Sequence, residues 1–185
     1  HLANLEILDA IGDCGINDTG MTNCIRLKSL NARFNQKITT VNHLANLEIL
    51  DAAGDCGIND AGVAYCIRLK SLKAGYNQKI TTVNHLTNLE ILDVAGDCGI
   101  NDTGVAYCIR LKSLNARYNP KITTVNHLAN LEELDASGNC GINDTGIVNC
   151  ICLKELDAHN NPKIINVDHL VNLEYFDIEE MVSDW

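Results

Sequence analysis

The segment "GDCGIND" stands at Gly12–Asp18, Gly54–Asp60 and Gly96–Asp102, and returns as "GNCGIND" at Gly138–Asp144, each copy starting 42 residues after the one before. A fixed period of this length means that one supersecondary unit is copied along the chain. Each copy must then bury its apolar edge against the next. His1, His43, His85, His127 and His169 open five such units. Residues 43–84 and 85–126 differ only at Ala45/Thr87, Ala52/Val94, Ala61/Thr103, Lys73/Asn115, Gly75/Arg117 and Gln78/Pro120. The unit divides again. Leu5-x-x-Leu8-Asp-Ala10 and Leu27-x-x-Leu30-Asn-Ala32 lie 22 residues apart, and Leu47-x-x-Leu50-Asp-Ala52 follows 20 later. Two kinds of coil therefore alternate, and nine strand segments result, the last at Leu173–Ile178.

This pattern resembles the leucine-rich repeat over essentially the whole chain. The family's strand motif L-x-x-L-x-L-x-x-N-x-x-I is matched by "LKSLNARYNPKI" (Leu111–Ile122), with Ala116 at the third leucine position. The longer coil is similar to the cysteine-containing subtype of F-box proteins, through Ile16-Asn-Asp18-Thr-Gly20 and Cys24-Ile-Arg-Leu27, although Asp13 stands where that subtype has cysteine. The shorter coil is similar to internalin-type repeats. The resemblance implies an α/β solenoid: a right-handed horseshoe with a parallel concave sheet and short helical or extended convex segments. It is expected to form a single domain over 1–185, of about nine coils and part of a longer array.

Aromatic residues make up only 4% of the chain, so the core must be built from Leu, Ile, Val, Ala and Cys. Eight of the nine cysteines form two columns, Cys14, Cys56, Cys98, Cys140 and Cys24, Cys66, Cys108, Cys150, with Cys152 outside both. Members of one column sit two coils apart, beyond the roughly 7 Å Cα separation that a disulfide spans. Free, buried thiols in a reducing, cytoplasmic setting are expected. Asn35, Asn77, Asn119 and Asn161 occupy the turn after the strand, where a stacked amide can both donate and accept. Asp13, Asp55, Asp97 and Asn139 fill the equivalent position of the longer coil, and the aspartates are expected to accept from backbone N–H groups. Asp18 or Thr19 is expected to cap a short helical turn.

The motif invites sharper chemistry, which the spacing disfavours. "DCGINDTG" fits neither an EF-hand loop nor a calcium-binding nonapeptide. No C-x-x-C pair signals zinc; Cys150-x-Cys152 is the nearest approach. His43, Tyr65, His85, Tyr107 and His127 share one column, read as packing and hydrogen bonding at the strand start. Catalysis needs a singular set of converging groups, whereas nearly every polar residue here recurs. No cofactor, metal or catalytic residue is expected, and the chain is read as a non-enzyme.

In-register stacking turns the sequence into columns. The second strand position alternates strictly: Glu6, Lys28, Glu48, Lys70, Glu90, Lys112, Glu132, Lys154, Glu174. Neighbours in that column attract, and a slip of one coil would set Glu on Glu. The third, fifth and seventh positions face the concave side. There Arg33, Lys73 and Arg117 stand among Asp and Asn, flanked by Phe34, Tyr76 and Tyr118. The last strands turn acidic through Glu133, Asp135, Glu155, Asp157, Asp177 and Glu179, with His159 among them. These residues form the expected partner surface, for a protein or peptide of basic character.

The formal charge of -10 disfavours nucleic acid and anionic membrane, and no apolar run reaches the roughly 18 residues of a membrane span. The expected function is a non-catalytic protein–protein interaction scaffold. The alternatives are an assembly subunit that associates end to end and, from the cysteine-containing resemblance alone, the substrate-recognition part of a ubiquitin-ligase adaptor. The pattern begins at full strength at His1 and decays into "YFDIEEMVSDW", where Met181, Val182 and Trp185 are expected to cover the last coil.

Overall fold

The computed structural model describes residues 2–178; His1 and the expected C-terminal cover at Met181, Val182 and Trp185 lie outside the described residues. Nine three-residue strands form one all-parallel sheet in chain order: β1 (Ile7–Asp9), β2 (Ser29–Asn31), β3 (Ile49–Asp51), β4 (Ser71–Lys73), β5 (Ile91–Asp93), β6 (Ser113–Asn115), β7 (Glu133–Asp135), β8 (Glu155–Asp157) and β9 (Tyr175–Asp177). The register pairs Leu8, Leu30, Leu50, Leu72, Leu92, Leu114, Leu134, Leu156 and Phe176 in one column. The solenoid expected from the repeat is therefore present, with the expected register.

Such short strands supply few hydrogen bonds, so the turns carry much of the order. Asn77 is buried, and its Nδ2 donates to Ala52 O at 2.8 Å and Ile58 O at 3.2 Å in the preceding coil. Its Oδ1 accepts from Lys79 N at 2.8 Å. Asn35, Asn119 and Asn161 repeat the arrangement. Among the described residues no buried side-chain nitrogen or oxygen lacks a partner.

The longer coil closes its turn differently, and here the structure corrects the sequence reading. Asp13, Asp55 and Asp97 are not ladder residues accepting from backbone N–H. They project outward and bind lysines: Lys37 on Asp13, Lys79 on Asp55 at 2.8 Å and Lys121 on Asp97 at 2.8 Å, with the aspartate side chains 85%, 65% and 66% exposed. The cysteine one position later goes inside. Cys56, Cys98 and Cys140 are fully buried, and Cys98 Sγ accepts from Ile100 N at 3.5 Å. Gly54, Gly96 and Gly138 precede the aspartates at φ of +70°, +67° and +64°, a conformation that glycine adopts without Cβ strain and that Phe34, Tyr76 and Tyr118 adopt at the same position of the shorter coil. A second glycine permits contact between coils: a Cβ on Gly57 would lie 2.5 Å from Gln36 O.

The convex side is equally rule-bound. One α-helical turn at Asp18–Met21 and three 3-10 turns at Asp60–Val63, Asp102–Val105 and Asp144–Gly146 follow the motif. Their caps are Asn17, Asn59, Asn101 and Asn143, whose side chains accept from Gly20, Gly62, Gly104 and Gly146 N, rather than Asp18 or Thr19. That frees the aspartate for the next coil. Asp60 accepts from Thr81 N at 2.7 Å, Thr81 Oγ1 at 2.6 Å and Thr82 N at 3.2 Å. The chain returns the tie through Asn84, which donates to Thr103 O at 2.7 Å and accepts from Tyr107 N at 2.9 Å. Every polar residue of "GDCGIND" is thus used in building a coil.

All nine cysteines are free and seven of them are buried; Cys14 departs from the expected buried column, and Cys152, outside both columns, is exposed. Burial pushes the Cys66, Cys98, Cys108, Cys140 and Cys150 thiols up to about 11, so they behave as small apolar residues. Replacing Asn77 by Ala strands two carbonyls and one N–H at about 1–3 kcal/mol for each unsatisfied group. The Asn77→Ala variant is expected to unfold in urea with a stability lower by about 2 kcal/mol or more, whereas Thr87→Ala, at an exposed position where the preceding unit has Ala45, changes it far less.

Candidate functional site on the concave face

The sheet exposes the third and fifth strand positions to solvent, and the register places their side chains in rows. The third row runs Ile7, Ser29, Ile49, Ser71, Ile91, Ser113, Glu133, Glu155, Tyr175. Glu133 therefore lies beside Glu155, and Asp135, Asp157 and Asp177 lie side by side in the fifth row. Adjacent strands are about 4.8 Å apart, and like charges set directly opposite destabilise a sheet. Glu133, Asp135, Glu155, Asp157 and Tyr175 line one shallow hollow of 200 Å³ together with Ser113 and Asn115. Tyr175, which the charge pattern does not single out, is 55% exposed. Its hydroxyl faces Asp177 Oδ2 at 3.4 Å, and the Asp177 charge holds the phenol above its usual range. The change from Ile and Ser to Glu, Glu and Tyr along the third row was the available signal.

The remaining expected residues divide. His159 Nδ1 lies 3.9 Å from Asp177 Oδ1 at the rim of the acidic end. Glu179 lies outside the described residues. Arg33, Lys73 and Arg117 are not brought together, since they belong to coils separated by one intervening strand. Lys73 lies in register between Asp51 and Asp93. Arg33 lies over Phe34 and Arg117 over Tyr118, each 5.0 Å from the ring centroid. Phe34, Tyr76 and Tyr118 have φ of 58°, 59° and 56°, a left-handed conformation that costs about 1–3 kcal/mol. Their rings lie across Gly54, Gly96 and Gly138 of the next coil, where an added Cβ would approach ring carbons to 2.2, 2.2 and 2.1 Å. Tyr76 and Tyr118 thus have a packing role besides their exposure.

The flanking ladder forms as expected. Lys28, Lys70, Lys112 and Lys154 each close on the glutamate of the coil before, at 3.0, 2.7, 3.1 and 2.5 Å. His43, His85 and His127 donate from Nε2 to Met21, Val63 and Val105 O, each at 3.2 Å, while Tyr65 and Tyr107 project into solvent rather than stacking between them. Among the described residues no group of three or more His, Cys, Asp or Glu side chains is placed to hold a metal ion, and no helix is long and apolar enough to cross a membrane.

No family profile and no curated protein matches the chain. Solved structures do. An internalin (inlF) of Listeria monocytogenes superposes with a TM-score of 0.68 at 24% identity, over 96% of this chain and 55% of its own. Internalin C2 of the same organism gives 0.67 at 21%, over 97% and 82%. The protein chain of a TLR13–ssRNA13 complex gives 0.66 at 18%, over 96% and 30%. This is a leucine-rich-repeat fold. The chain spans about half of the internalin F chain and less of TLR13, so the leucine-rich-repeat likeness concerns architecture.

Asp93, half-buried and near Asp51 and Asp135, has a carboxyl held above its usual range, chiefly by desolvation. A carboxyl whose folded value is raised lowers stability while ionised, and the penalty fades as pH falls through that raised value. Asn31 and Asn115 occupy the same position and accept the same backbone bond, from Arg33 N at 3.2 Å and Arg117 N at 3.0 Å. Asp93→Asn is therefore expected to raise the unfolding midpoint at pH 7, with the gain shrinking toward pH 4 in thermal scans.

Proposed function

We propose that the chain is a non-catalytic interaction scaffold whose concave face at β7–β9 receives a basic segment of a partner protein. The observation that carries this reading is the in-register stacking of like charges, Glu133 beside Glu155 and Asp135, Asp157 and Asp177 in line. In the earlier coils the third row is uncharged and the fifth row mixes Asp with Asn or Lys, so repeat packing alone does not require the acidic stack. A cationic partner relieves the repulsion on binding. The mixed region around Arg33, Lys73 and Arg117, with Tyr76 and Tyr118, extends the same face.

The likeness to internalins supports a scaffold of this general kind. The fold itself does not exclude RNA, since TLR13 was solved with ssRNA13; the expectation against nucleic acid rests on the formal charge of -10. Nine free thiols, two of them exposed, suit a reducing compartment.

An arginine- and lysine-rich peptide is expected to bind, with affinity falling as salt rises. The triple variant Glu155→Lys, Asp157→Lys, Asp177→Lys is expected to lose at least about tenfold in affinity while keeping its circular dichroism, by the few kcal/mol that like-charge juxtaposition costs. Equal binding by the variant, measured by fluorescence anisotropy, overturns the acidic-face reading.

A further inference from the structure

On the flank where each strand starts, the residue before the first leucine of the coil also follows a rule. Asparagine and arginine alternate, and each arginine donates from Nη1 to the asparagine of the coil before: Arg26 to Asn4 Oδ1 at 3.3 Å, Arg68 to Asn46 at 3.0 Å and Arg110 to Asn88 at 2.9 Å. Each following asparagine donates onward to a carbonyl, as Asn130 does to Ile109 O at 2.9 Å. The rule breaks once, at Cys152. Its short side chain leaves Asn130 Oδ1 with no donor among the described residues.

At Cys152 the recess of this flank is open from Glu90 and Arg110 as far as Asn172 and Glu174, with a volume of 590 Å³. The recess one unit earlier, where Arg68 and Arg110 are in place, covers one coil fewer and has 290 Å³. We propose that this recess is a subsite for the guanidinium of an arginine carried by a partner protein, docking where the chain's own arginine stands in the earlier coils. The guanidinium donates to Asn130 Oδ1 with the Glu132 and Glu174 carboxylates nearby, and its planar set of N–H donors meets this combination better than a single ammonium does. The lysines on the walls do not forbid it. Arg68 and Arg110 hold the same place in coils that carry Lys70 and Lys112, and Arg68 helps to keep Glu48 ionised. The subsite lies on the strand-start flank, shares no residue with the concave hollow and stands independently of the function proposed above.

The test titrates 15N-labelled protein with N-acetyl-arginine amide and reads the Asn130 side-chain amide. A saturable shift is expected, at least severalfold stronger than with N-acetyl-lysine amide. Cys152→Arg, which restores the residue found at positions 26, 68 and 110 and so keeps the fold, is expected to weaken binding at least tenfold. Cys152→Ser and the concave triple variant are expected to bind like the parent. Absence of a saturable Asn130 shift, equal response to both amides, or full binding by Cys152→Arg overturns the proposal. Loss in Cys152→Ser overturns it in favour of thiol chemistry, and loss in the triple variant assigns the response to the concave face.

Discussion

The structure depends on how the chain leaves each strand. Three-residue strands cannot hold nine coils in register by their ladder bonds alone, so the turn must contribute. A carboxamide in the shorter coil and a thiol in the longer one fill that place. The Asn77 amide joins two carbonyls of the coil below to a backbone N–H of its own, and Cys98 accepts an N–H of its own coil while remaining fully buried. The two turns are equal in length, since Leu5 and Ile16 stand as far apart as Leu27 and Ile38; the extra residues of the longer coil lie after Ile16, in the convex segment. The thiol turn has glycine at the left-handed position that Phe34 and Tyr76 hold in the shorter coil, and a second glycine that lets it pass the backbone of the coil before.

Once the turns are fixed, the other columns follow from geometry. Side chains on successive coils are held in contact, so complementary pairs repeat with the period: Glu with Lys on the flank, Asp with Thr on the convex side, and an aromatic ring over the next glycine. Repetition of this kind is architectural. Function is then sought where the repetition fails. It fails on the concave face at β7–β9, where Glu133 meets Glu155 and Asp135, Asp157 and Asp177 stand in line, and on the flank, where Cys152 replaces an arginine. Both changes lie toward the C-terminal end of the described coils, and both leave charge or hydrogen-bonding capacity without its usual partner.

Most of the architecture was legible in the sequence because the period is exact to the residue and the columns carry their own checks. The register, the Glu/Lys ladder, the buried leucines, the asparagine turns and the acidic rows all follow from aligning Leu5, Leu27 and Leu47 in one column. The turn of the longer coil was misread for a specific reason. Counting from Leu5 puts Asp13 at the position of Asn35, but in the longer coil the inward place passes to the residue after the aspartate, at Cys56, Cys98 and Cys140, and the aspartate turns out to a lysine. The cap assignment failed similarly. Asn17, Asp18 and Thr19 are all good caps in isolation, and only the neighbouring coil shows that Asp18 is needed for Thr39. Tyr175 follows Glu133 and Glu155 in the third row by sequence alone, but the approach of its hydroxyl to Asp177 is visible only in the structure.

The claim that the cysteine columns are turn and core elements rather than reactive sites is tested most directly by counting thiols. Native protein treated with an aromatic disulfide reagent should react quickly at the two exposed cysteines, Cys14 and Cys152, and the other seven should react only as the chain unfolds in urea. Rapid labelling of all nine in the native state, or protection of Cys14 and Cys152 with the interior column exposed, would contradict the turn structure on which the rest of the account is built.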